Sequence, residues 1–324
     1  MILNGLKYNC LARWTLTKSV GDHREPWCEI MSSMEGNTSV TDIYIGPGFY
    51  GYMSAEAFDE FLQHIADKLT NLRVLSIGTL DFTKTPIHGD TIGLFLSKAP
   101  KLHTLRIERN VLIRTFEEAE SLAQGFKLHP SLKRISLPNL HPTWPNCTLD
   151  PILSSLVTIT NLESLQLGLS EESFGWHSQV FSAQSVGMLG TLPHLSWLVL
   201  TRFHIEDDHV EELCSEMVQT NAPIKILDIT KTRRVTKRSW QAVLNLLHTQ
   251  VNLEAVDMYC SREATQVKQS VYLFLKLNRE GRRKKLRELP NKEEWVNTVS
   301  RFFINDLTAV NVLVRDSPWI CLRN

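Results

Sequence analysis

The chain of 324 residues lacks a surplus of charge of either sign, since Lys and Arg together number 35 and Asp and Glu together also number 35. A balanced chain has no overall field that would draw it to nucleic acid or to an acidic membrane. No apolar run approaches the roughly 20 residues that a membrane-spanning helix needs. The first residues, Met1–Leu6, have no basic stretch ahead of an apolar one. We therefore expect neither a signal peptide nor a membrane span.

Motifs of catalysis and metal binding are also scarce. The six cysteines lie far apart in the sequence, and no two have metal-ligand or redox spacing, which favours a reducing compartment. A Gly-rich phosphate loop, a nucleophile elbow and a Cys/His motif are all missing. The only cluster of histidine and acid is His204–His209, and its Asp207 and Asp208 suit helix caps better than zinc ligands. The sequence therefore predicts a protein that is not an enzyme and that has no cofactor and no metal site.

What the sequence does contain is one apolar pattern repeated eight times, in which the second apolar residue follows three positions after the first and the third two positions later. The eight segments are Val40-Ile43-Ile45, Leu72-Leu75-Ile77, Leu102-Leu105-Ile107, Leu132-Ile135-Leu137, Leu162-Leu165-Leu167, Leu195-Leu198-Leu200, Ile224-Leu227-Ile229 and Leu253-Val256-Met258. They recur every 29–33 residues. A near-constant period of this kind is typical of a solenoid.

Each repeat is predicted to hold one strand and one helix. In the repeat that starts at Leu102, apolar and polar residues alternate from Thr104 to Glu108, which indicates a half-buried strand. Apolar residues then follow at helical spacing on one predicted buried face: Phe116, Ala119, Leu122, Ala123 and Phe126. Such a unit cannot bury its own apolar faces, so the repeats must stack, with parallel strands inside and helices outside.

The helix ends carry their own signals. Asp150, before Pro151, and Asp207–Asp208 are predicted to cap the helices that follow them. Asparagine introduces several strands at the turn from helix to strand, where we expect it to tolerate unusual backbone angles: Asn71, Asn161 and Asn252.

These repeats resemble leucine-rich repeats of the long, helical, ribonuclease-inhibitor type from about Val40 to Tyr259. The resemblance implies an α/β horseshoe, with a parallel β-sheet on the concave face and helices on the convex face. The Asn or Cys that usually follows the strand in this family is mostly absent, and the loops 139–149 and 170–182 are irregular. We assign residues 40–261 to the repeats and residues 1–39 to a degenerate first repeat and N-terminal cap, with a strand at Leu3–Tyr8 and a helix at Trp27–Met34.

Residues 262–324 are predicted to form a helical C-terminal cap over the last repeat, as solenoids require. We expect helices at Val267–Lys276, Lys292–Phe303 and Leu307–Arg315. The segments Phe274–Arg282, Glu294–Val296, Asp306–Leu307 and Pro318–Cys321 resemble the tail of a group of algal leucine-rich-repeat proteins. That resemblance implies no defined biochemical role.

The residues between the apolar positions of each strand are expected to face the concave surface. The candidate partner-binding residues on that surface are Tyr44, Arg106, Glu108, Arg134, Gln166, Trp197, Asp228, Asp257 and Tyr259. Trp, Tyr and Arg dominate the energetics of protein–protein interfaces. The sequence therefore predicts a non-catalytic module that binds a protein partner on its concave face, monomeric and cytoplasmic or nuclear. A simpler interpretation is that these residues only pair with one another across the sheet.

Two further functions stay open at this point. Arg109-Asn110 lies in a loop between strand and helix, where repeat-type GTPase activators keep functional groups. Two basic runs could contact phosphates, or the first could act as a nuclear import signal, although its cations could instead complement a solvated helix C-terminus. The runs are Arg279, Arg282, Arg283, Lys284, Lys285 and Arg287, and Lys231, Arg233, Arg234, Lys237 and Arg238.

Overall fold

A computed structural model describes residues 12–16, 32–46, 55–78, 86–143, 148–170, 181–230, 235–289, 292–303, 310–311 and 313–314. Its strands are β1 Arg13–Leu16, β2 Asp42–Ile45, β3 Val74–Ile77, β4 Ile87–His88, β5 Thr104–Ile107, β6 Val111–Ile113, β7 Arg134–Pro142, β8 Ser164–Leu169, β9 Trp197–Thr201, β10 Ile226–Ile229 and β11 Ala255–Met258. Its α-helices are α1 Ala55–Lys68, α2 Gly89–Lys98, α3 Phe116–Lys127, α4 Asp150–Leu156, α5 Ala183–Met188, α6 Asp207–Thr220, α7 Lys237–Thr249, α8 Thr265–Arg279, α9 Arg282–Arg287 and α10 Lys292–Phe303. Strand and helix therefore alternate as the repeat pattern predicts.

The main sheet is parallel throughout, in the order β1-β2-β3-β5-β7-β8-β9-β10-β11. Equivalent residues of successive repeats lie in register. The first residues of the strands align in one row: Arg13, Asp42, Val74, Thr104, Arg134, Ser164, Trp197, Ile226 and Ala255. A shared register places equivalent side chains side by side, about 4.8 Å apart at the backbone.

The eight apolar triplets form the core. Every one of their residues is buried, and the most exposed is Val256 at 6%. One apolar cluster runs from Trp14 to Leu275. A second cluster lies in the C-terminal segment and includes Leu277, Trp295 and Leu313. The chain is therefore an α/β leucine-rich-repeat horseshoe with a parallel sheet, which confirms the fold class.

The structure adds a strand that the sequence pattern does not predict. β1 lies beside β2, 29 residues before it in register, with Arg13 opposite Asp42, and Trp14 is buried in the core. The predicted strand Leu3–Tyr8 lies outside the described residues, as does most of the predicted helix Trp27–Met34. The sequence around β1 does contain the repeat pattern, as Leu11, Trp14 and Leu16, with tryptophan in place of the usual aliphatic residue.

A short second row of strands branches from the main sheet. β4 pairs with β6, and β6 pairs with the far end of β7, all in parallel. Residues 139–142, expected to begin an irregular loop, instead extend β7, because Leu140 is buried and pairs with Leu169 of β8. The rest of that predicted loop is described only in part.

Two details of the helices correct the sequence prediction. Phe116 is 43% exposed although its spacing places it on the buried face of α3, because it occupies the first helical position after the N-cap Thr115. The N-caps of α4 and α6 are Leu149 and Glu206 rather than the aspartates that follow them.

Glycine allows two neighbouring helices to pack at backbone contact. A Cβ atom on Gly125 of α3 would lie 2.7 Å from the carbonyl oxygen of Gly93 in α2. That distance is well inside ordinary van der Waals contact, so only residues without a side chain fit at this crossing.

Asn71 and Asn161, at turns from helix to strand, were expected to adopt unusual backbone angles, but neither has a positive φ. They connect repeats instead. Their side-chain amides donate to the carbonyl oxygens of Thr38 and Pro130 in the preceding repeats, at 2.8 and 3.2 Å. Ser131 occupies the equivalent place in another repeat and donates to Pro100, at 3.0 Å. The only described non-glycine residues with positive φ are Arg202 and Asn221.

The C-terminal segment is helical, as expected. α8 and α10 match the first two predicted helices, and α9 was not predicted. The third predicted helix lies largely outside the described residues. Within the part of the chain that the structure covers, no helix combines the length and the apolar character that crossing a membrane requires.

Candidate functional site

The outward face of the sheet carries all nine candidate residues. Eight of them fall into two groups with different contacts, and Tyr44 lies apart on β2. We call Arg106, Glu108, Arg134, Ser136 and Gln166, on β5 to β8 or directly after β5, the middle surface. We call Trp197, Val199, Ile226, Asp228, Asp257 and Tyr259, on β9 to β11 or directly after β11, the terminal surface.

The side chains of the middle surface mostly pair with one another. The Arg106 guanidinium binds the carboxylate of Glu108, two residues further along the chain, with Nε 2.9 Å from Oε1. The Ser136 hydroxyl donates to the side-chain oxygen of Gln166 on the next strand, at 2.9 Å. The Arg134 side chain is exposed and makes no hydrogen bond or ion pair with a described residue. Pairing within the sheet, rather than partner binding, therefore accounts for most of this surface.

Tyr44, at the other end of the sheet, is half-buried. The guanidinium of Arg13 lies 5.3 Å from the centre of its ring. The contact is possible because β1 lies next to β2, which puts Arg13 in register with Asp42, two residues before Tyr44. A cation over the ring covers one face of Tyr44, so this residue is less accessible than its sequence position suggested.

Among the described residues of the sheet face, two large aromatic side chains are exposed, and both lie on the terminal surface. Trp197 is 48% exposed and Tyr259 is 51% exposed. Trp197 is in register with Ile226 on β10, and Val199 of the same strand is nearly buried between its neighbours. The Trp197 indole NH and the Tyr259 hydroxyl make no hydrogen bond to the described residues. Trp197 and half-buried Ile226 therefore form an apolar surface beside the buried Val199.

Two carboxylates lie between these aromatic residues. Asp228 and Asp257 are in register on adjacent parallel strands. Asp228 accepts a hydrogen bond from the backbone NH of Thr230, at 2.9 Å, and Asp257 is exposed without an ion pair to any described residue. The backbone of Tyr259 is fixed from below, because buried Trp240 donates its indole NH to the Tyr259 carbonyl, at 2.9 Å.

The basic run in α8 and α9 has a structural role. Arg283 and Arg287 lie one helical turn apart in α9 and donate to backbone carbonyls at the end of α7. Arg283 reaches the carbonyls of Leu247 and Gln250 at 2.6 and 3.2 Å, and Arg287 reaches those of His248 and Thr249 at 2.6 and 3.1 Å. These carbonyls have no partner within their own helix. Arg283 is 1% exposed, so at this residue the run is neither solvated nor free to contact phosphate.

The geometry gives little support to GTPase activation or to phosphate binding by the second basic run. Arg109, the residue considered for GTPase activation, is 2% exposed, and its guanidinium lies 5.3 Å from the centre of the Phe58 ring. Arg238 of the second basic run pairs with Asp208 and Glu211, at 3.1 and 2.6 Å. Lys231, Arg233 and Arg234 lie outside the described residues.

Histidine and acid residues act mainly at helix ends. His209 accepts a hydrogen bond from the backbone NH of Glu206 at Nδ1, 3.2 Å, and its Nε2 lies 3.1 Å from the Phe181 carbonyl. The ring of the predicted His/acid cluster is therefore engaged in capping α6. No group of three or more His, Cys, Asp or Glu side chains suited to a metal occurs among the described residues.

The fold also brings together an acid–base pair that sequence reasoning missed. Oδ2 of Asp59, in α1, lies 2.8 Å from Nδ1 of His88, the N-cap of α2, and both side chains are largely buried. Burial raises the pKa of Asp59, and the contact with His88 opposes that shift. The pair joins one helix to the start of the next.

The buried thiol is unsuited to nucleophilic chemistry. Cys214 lies inside α6, and burial, with a smaller effect of the Glu211 charge, raises the pKa of its thiol to about 12. Such a thiol is fully protonated near neutral pH and is a poor nucleophile.

Comparison with known proteins gives a likeness of fold. No protein-family model matches the chain, and no curated protein matches it. Among solved structures, an internalin (InlF) from Listeria monocytogenes is 14% identical with a TM-score of 0.46, the match covering 84% of this chain and 68% of the internalin. A protein from Bacteroides fragilis is 16% identical with a TM-score of 0.43, over 79% of this chain and 71% of that protein. TLR13, in a complex with single-stranded RNA, is 17% identical with a TM-score of 0.33, over 68% of this chain and 36% of TLR13. Likeness at this level carries no argument about function.

Proposed function

We propose that the chain is a non-catalytic interaction module whose terminal surface binds a protein partner on the concave side of the horseshoe. One observation carries the proposal: Trp197 stands 48% exposed on the sheet face, next to Ile226, without a hydrogen-bond partner among the described residues. Burying a tryptophan ring against a partner contributes more than burying almost any other side chain.

The charge and contact pattern supports the terminal surface over the middle surface. Arg106, Glu108 and Gln166 already have partners within the sheet, so a binding protein would have to compete with those contacts. Tyr259 and Asp257 have no such contacts to described residues. A partner would therefore gain most on β9 to β11 and least on β5 to β8.

Affinity capture with variants of the whole chain tests the proposal. We expect Trp197→Ala to lower retention of a captured partner by about 30-fold, the effect of losing about 2 kcal/mol at an interface hot spot. Phe116→Ala is the matched control, because Phe116 is similarly exposed but lies on helix α3. Equal retention by the wild type and Trp197→Ala, with both chains folded, would contradict the proposal. Arg106→Ala should have a smaller effect, since it removes a pair internal to the sheet.

The finer assignments made from the sequence stay proposals. They are the ribonuclease-inhibitor type of the repeats, the likeness of the C-terminal tail to algal repeat proteins, a monomeric state, and a location in the cytoplasm or nucleus. The division into a cap at 1–39, repeats at 40–261 and a cap at 262–324 is likewise proposed, with the amendment that β1 belongs to a first repeat within the N-terminal segment.

A further inference from the structure

We propose that the segment bound by the terminal surface is cationic, with lysine or arginine side chains alternating with apolar ones. This inference rests on the proposed function, and it names the chemistry of the partner. It comes from the placement of Asp228 and Asp257 between the exposed Trp197 and Tyr259.

Neither aspartate forms an ion pair with a described residue, and Lys231, Arg233 and Arg234, which follow β10, lie outside the described residues. Their strands are neighbours in register, so their Cα atoms lie about 4.8 Å apart and both carboxylates can approach one cation. Strands β9, β10 and β11 contain no lysine or arginine, and these aspartates are their only charged residues. A cation placed here would satisfy two like charges that otherwise repel each other.

The arginine that follows β9 has its side chain directed towards β7 and β8. Arg202 directly follows β9, but its guanidinium donates to the carbonyl of Leu169 and to the side-chain oxygen of Asn139, at 3.3 and 3.5 Å. Lys225 precedes β10 and lies opposite Glu254, at the other end of the strand from Asp228. The side chain of Arg202 is therefore directed away from the aspartate pair, and Lys225 is positioned away from it.

The flanking aromatic residues suit the same chemistry. Lysine and arginine bind the faces of Trp and Tyr rings, and Trp is the strongest of these partners. Their aliphatic stems also pack on apolar surface such as Trp197, Val199 and Ile226. An acidic partner would meet two uncompensated carboxylates in the same place, which disfavours it.

Fluorescence anisotropy with two labelled peptides of equal apolar content tests the inference. The probes are Lys-Leu-Lys-Leu-Lys and Glu-Leu-Glu-Leu-Glu. We expect the full chain to bind the lysine peptide at least about tenfold more tightly, with the preference falling as salt is added. The double variant Asp228→Asn/Asp257→Asn should bring the ratio of the two affinities close to one. The control Glu117→Gln/Glu120→Gln, which neutralises two exposed acids of helix α3, should leave the ratio unchanged.

The outcomes separate this inference from the proposed function. Equal binding of both peptides, no binding of either at millimolar concentration, or a preference that survives in the aspartate double variant would overturn the cationic partner. If Trp197→Ala nevertheless lowers capture of a cellular partner, the interaction surface stands and only its charge preference is wrong. If Trp197→Ala has no effect on capture but the aspartate pair still selects the lysine peptide, binding occurs on the aspartates without the tryptophan.

Discussion

Arg283 shows how a single residue of an apparently functional motif can belong to the architecture. Its guanidinium donates to Leu247, Gln250 and the side-chain oxygen of Asn278, the last at 2.9 Å, and lies over the Phe274 ring at 4.4 Å from the ring centre. The planar fork of an arginine can reach several oxygens at once, which a lysine cannot do. Two of the six basic residues of the run, Arg283 and Arg287, therefore complete the C-terminal end of helix α7.

Replacing Arg283 by alanine should destabilise the protein strongly. The change removes the Arg283 donor from the Leu247 carbonyl and from the side-chain oxygen of Asn278. Each such loss costs about 1–3 kcal/mol, so we expect the free energy of unfolding to fall by about 3 kcal/mol. Urea unfolding of the wild type and the variant measures the difference. Lys284→Ala is the control, since Lys284 is exposed on the same helix and should change stability by less than about 0.5 kcal/mol. A loss of nucleic-acid affinity without loss of stability in Arg283→Ala would favour phosphate binding by the basic run instead.

At the scale of helices, three pairs of neighbouring helices share one kind of link, in which a carboxylate on one helix binds the start of the following helix. Asp150 of α4 accepts hydrogen bonds from the NH and hydroxyl of Ser182, the N-cap of α5, at 2.9 and 3.3 Å. Asp207 of α6 accepts from Thr236, the N-cap of α7, and from Ser239. The Asp59–His88 pair does the same between α1 and α2. A negative charge at a helix N-terminus is stabilising.

Asp207 makes this linkage dependent on pH. Burial alone would raise the pKa of its carboxyl group, but hydrogen bonds from Ser239 and Thr236 outweigh burial, and the pKa lies below its ordinary value. The stabilisation is therefore complete above the unfolded pKa, about 3.9, and is lost as the pH falls through the lower folded-state pKa.

The variant Asp207→Asn should accordingly be less stable by about 1 kcal/mol near neutral pH, the usual size of a helix-cap contribution. The difference from the wild type should shrink as the pH falls below the ordinary aspartate pKa, about 3.9, because protonation then removes the wild-type charge too. Urea unfolding at several pH values measures it. Asp208→Asn, whose carboxylate is exposed and pairs with Arg238 at 3.1 Å, should show little difference at any pH. If Asp207→Asn is less stable than the wild type by the same free energy at every pH, the charge of Asp207 does not have this role.

The elements differ in how far the sequence could predict them. The eight triplets predicted the main strands because each apolar position is needed to fill the stacked core. β1 was missed because Trp14 replaces an aliphatic residue, and β4 and β6 were missed because strands of two and three residues leave no periodic pattern. The targets of Asp150 and Asp207 lie 29–32 residues away, and such pairings follow only from the stacking itself.

The candidate surface, too, could be predicted from the sequence only in part. Alternation along each strand correctly placed Arg106, Trp197 and Asp257 on the outward face, because side-chain direction has a period of two. The sequence could not show which of these side chains already have partners, because that depends on side-chain rotamers and on the register between strands. Arg106 is paired with Glu108 two residues on, and Tyr44 is covered by Arg13 of the unpredicted β1. Trp197, Tyr259, Asp257 and Arg134 keep exposed side chains without a side-chain partner among the described residues.

At the scale of the whole molecule, each helix packs mainly on the helices of the repeats beside it, as α2 on α3 and α6 on α7. In such a stack, stability is close to a sum of repeat energies and nearest-neighbour energies. A local defect should therefore loosen its own neighbourhood and leave distant repeats intact, in contrast to a closed globular core that unfolds as a unit.

Hydrogen exchange in two variants, each with a substitution at a different place in the stack, can measure whether the repeats loosen locally. Arg283→Ala should speed exchange in α7, β10 and β11, next to the cap, and leave β2 and β3 unchanged. Gly125→Ala forces a Cβ atom against the backbone of Gly93 and should speed exchange around α2 and α3 instead, although helix propensity alone would favour alanine by about 1 kcal/mol. If both variants accelerate exchange equally along the described chain, the repeats unfold as one cooperative unit and the nearest-neighbour description is wrong. If instead each variant speeds exchange only near its own site, the local stability of the proposed binding surface on β9 to β11 can change without affecting the distant repeats.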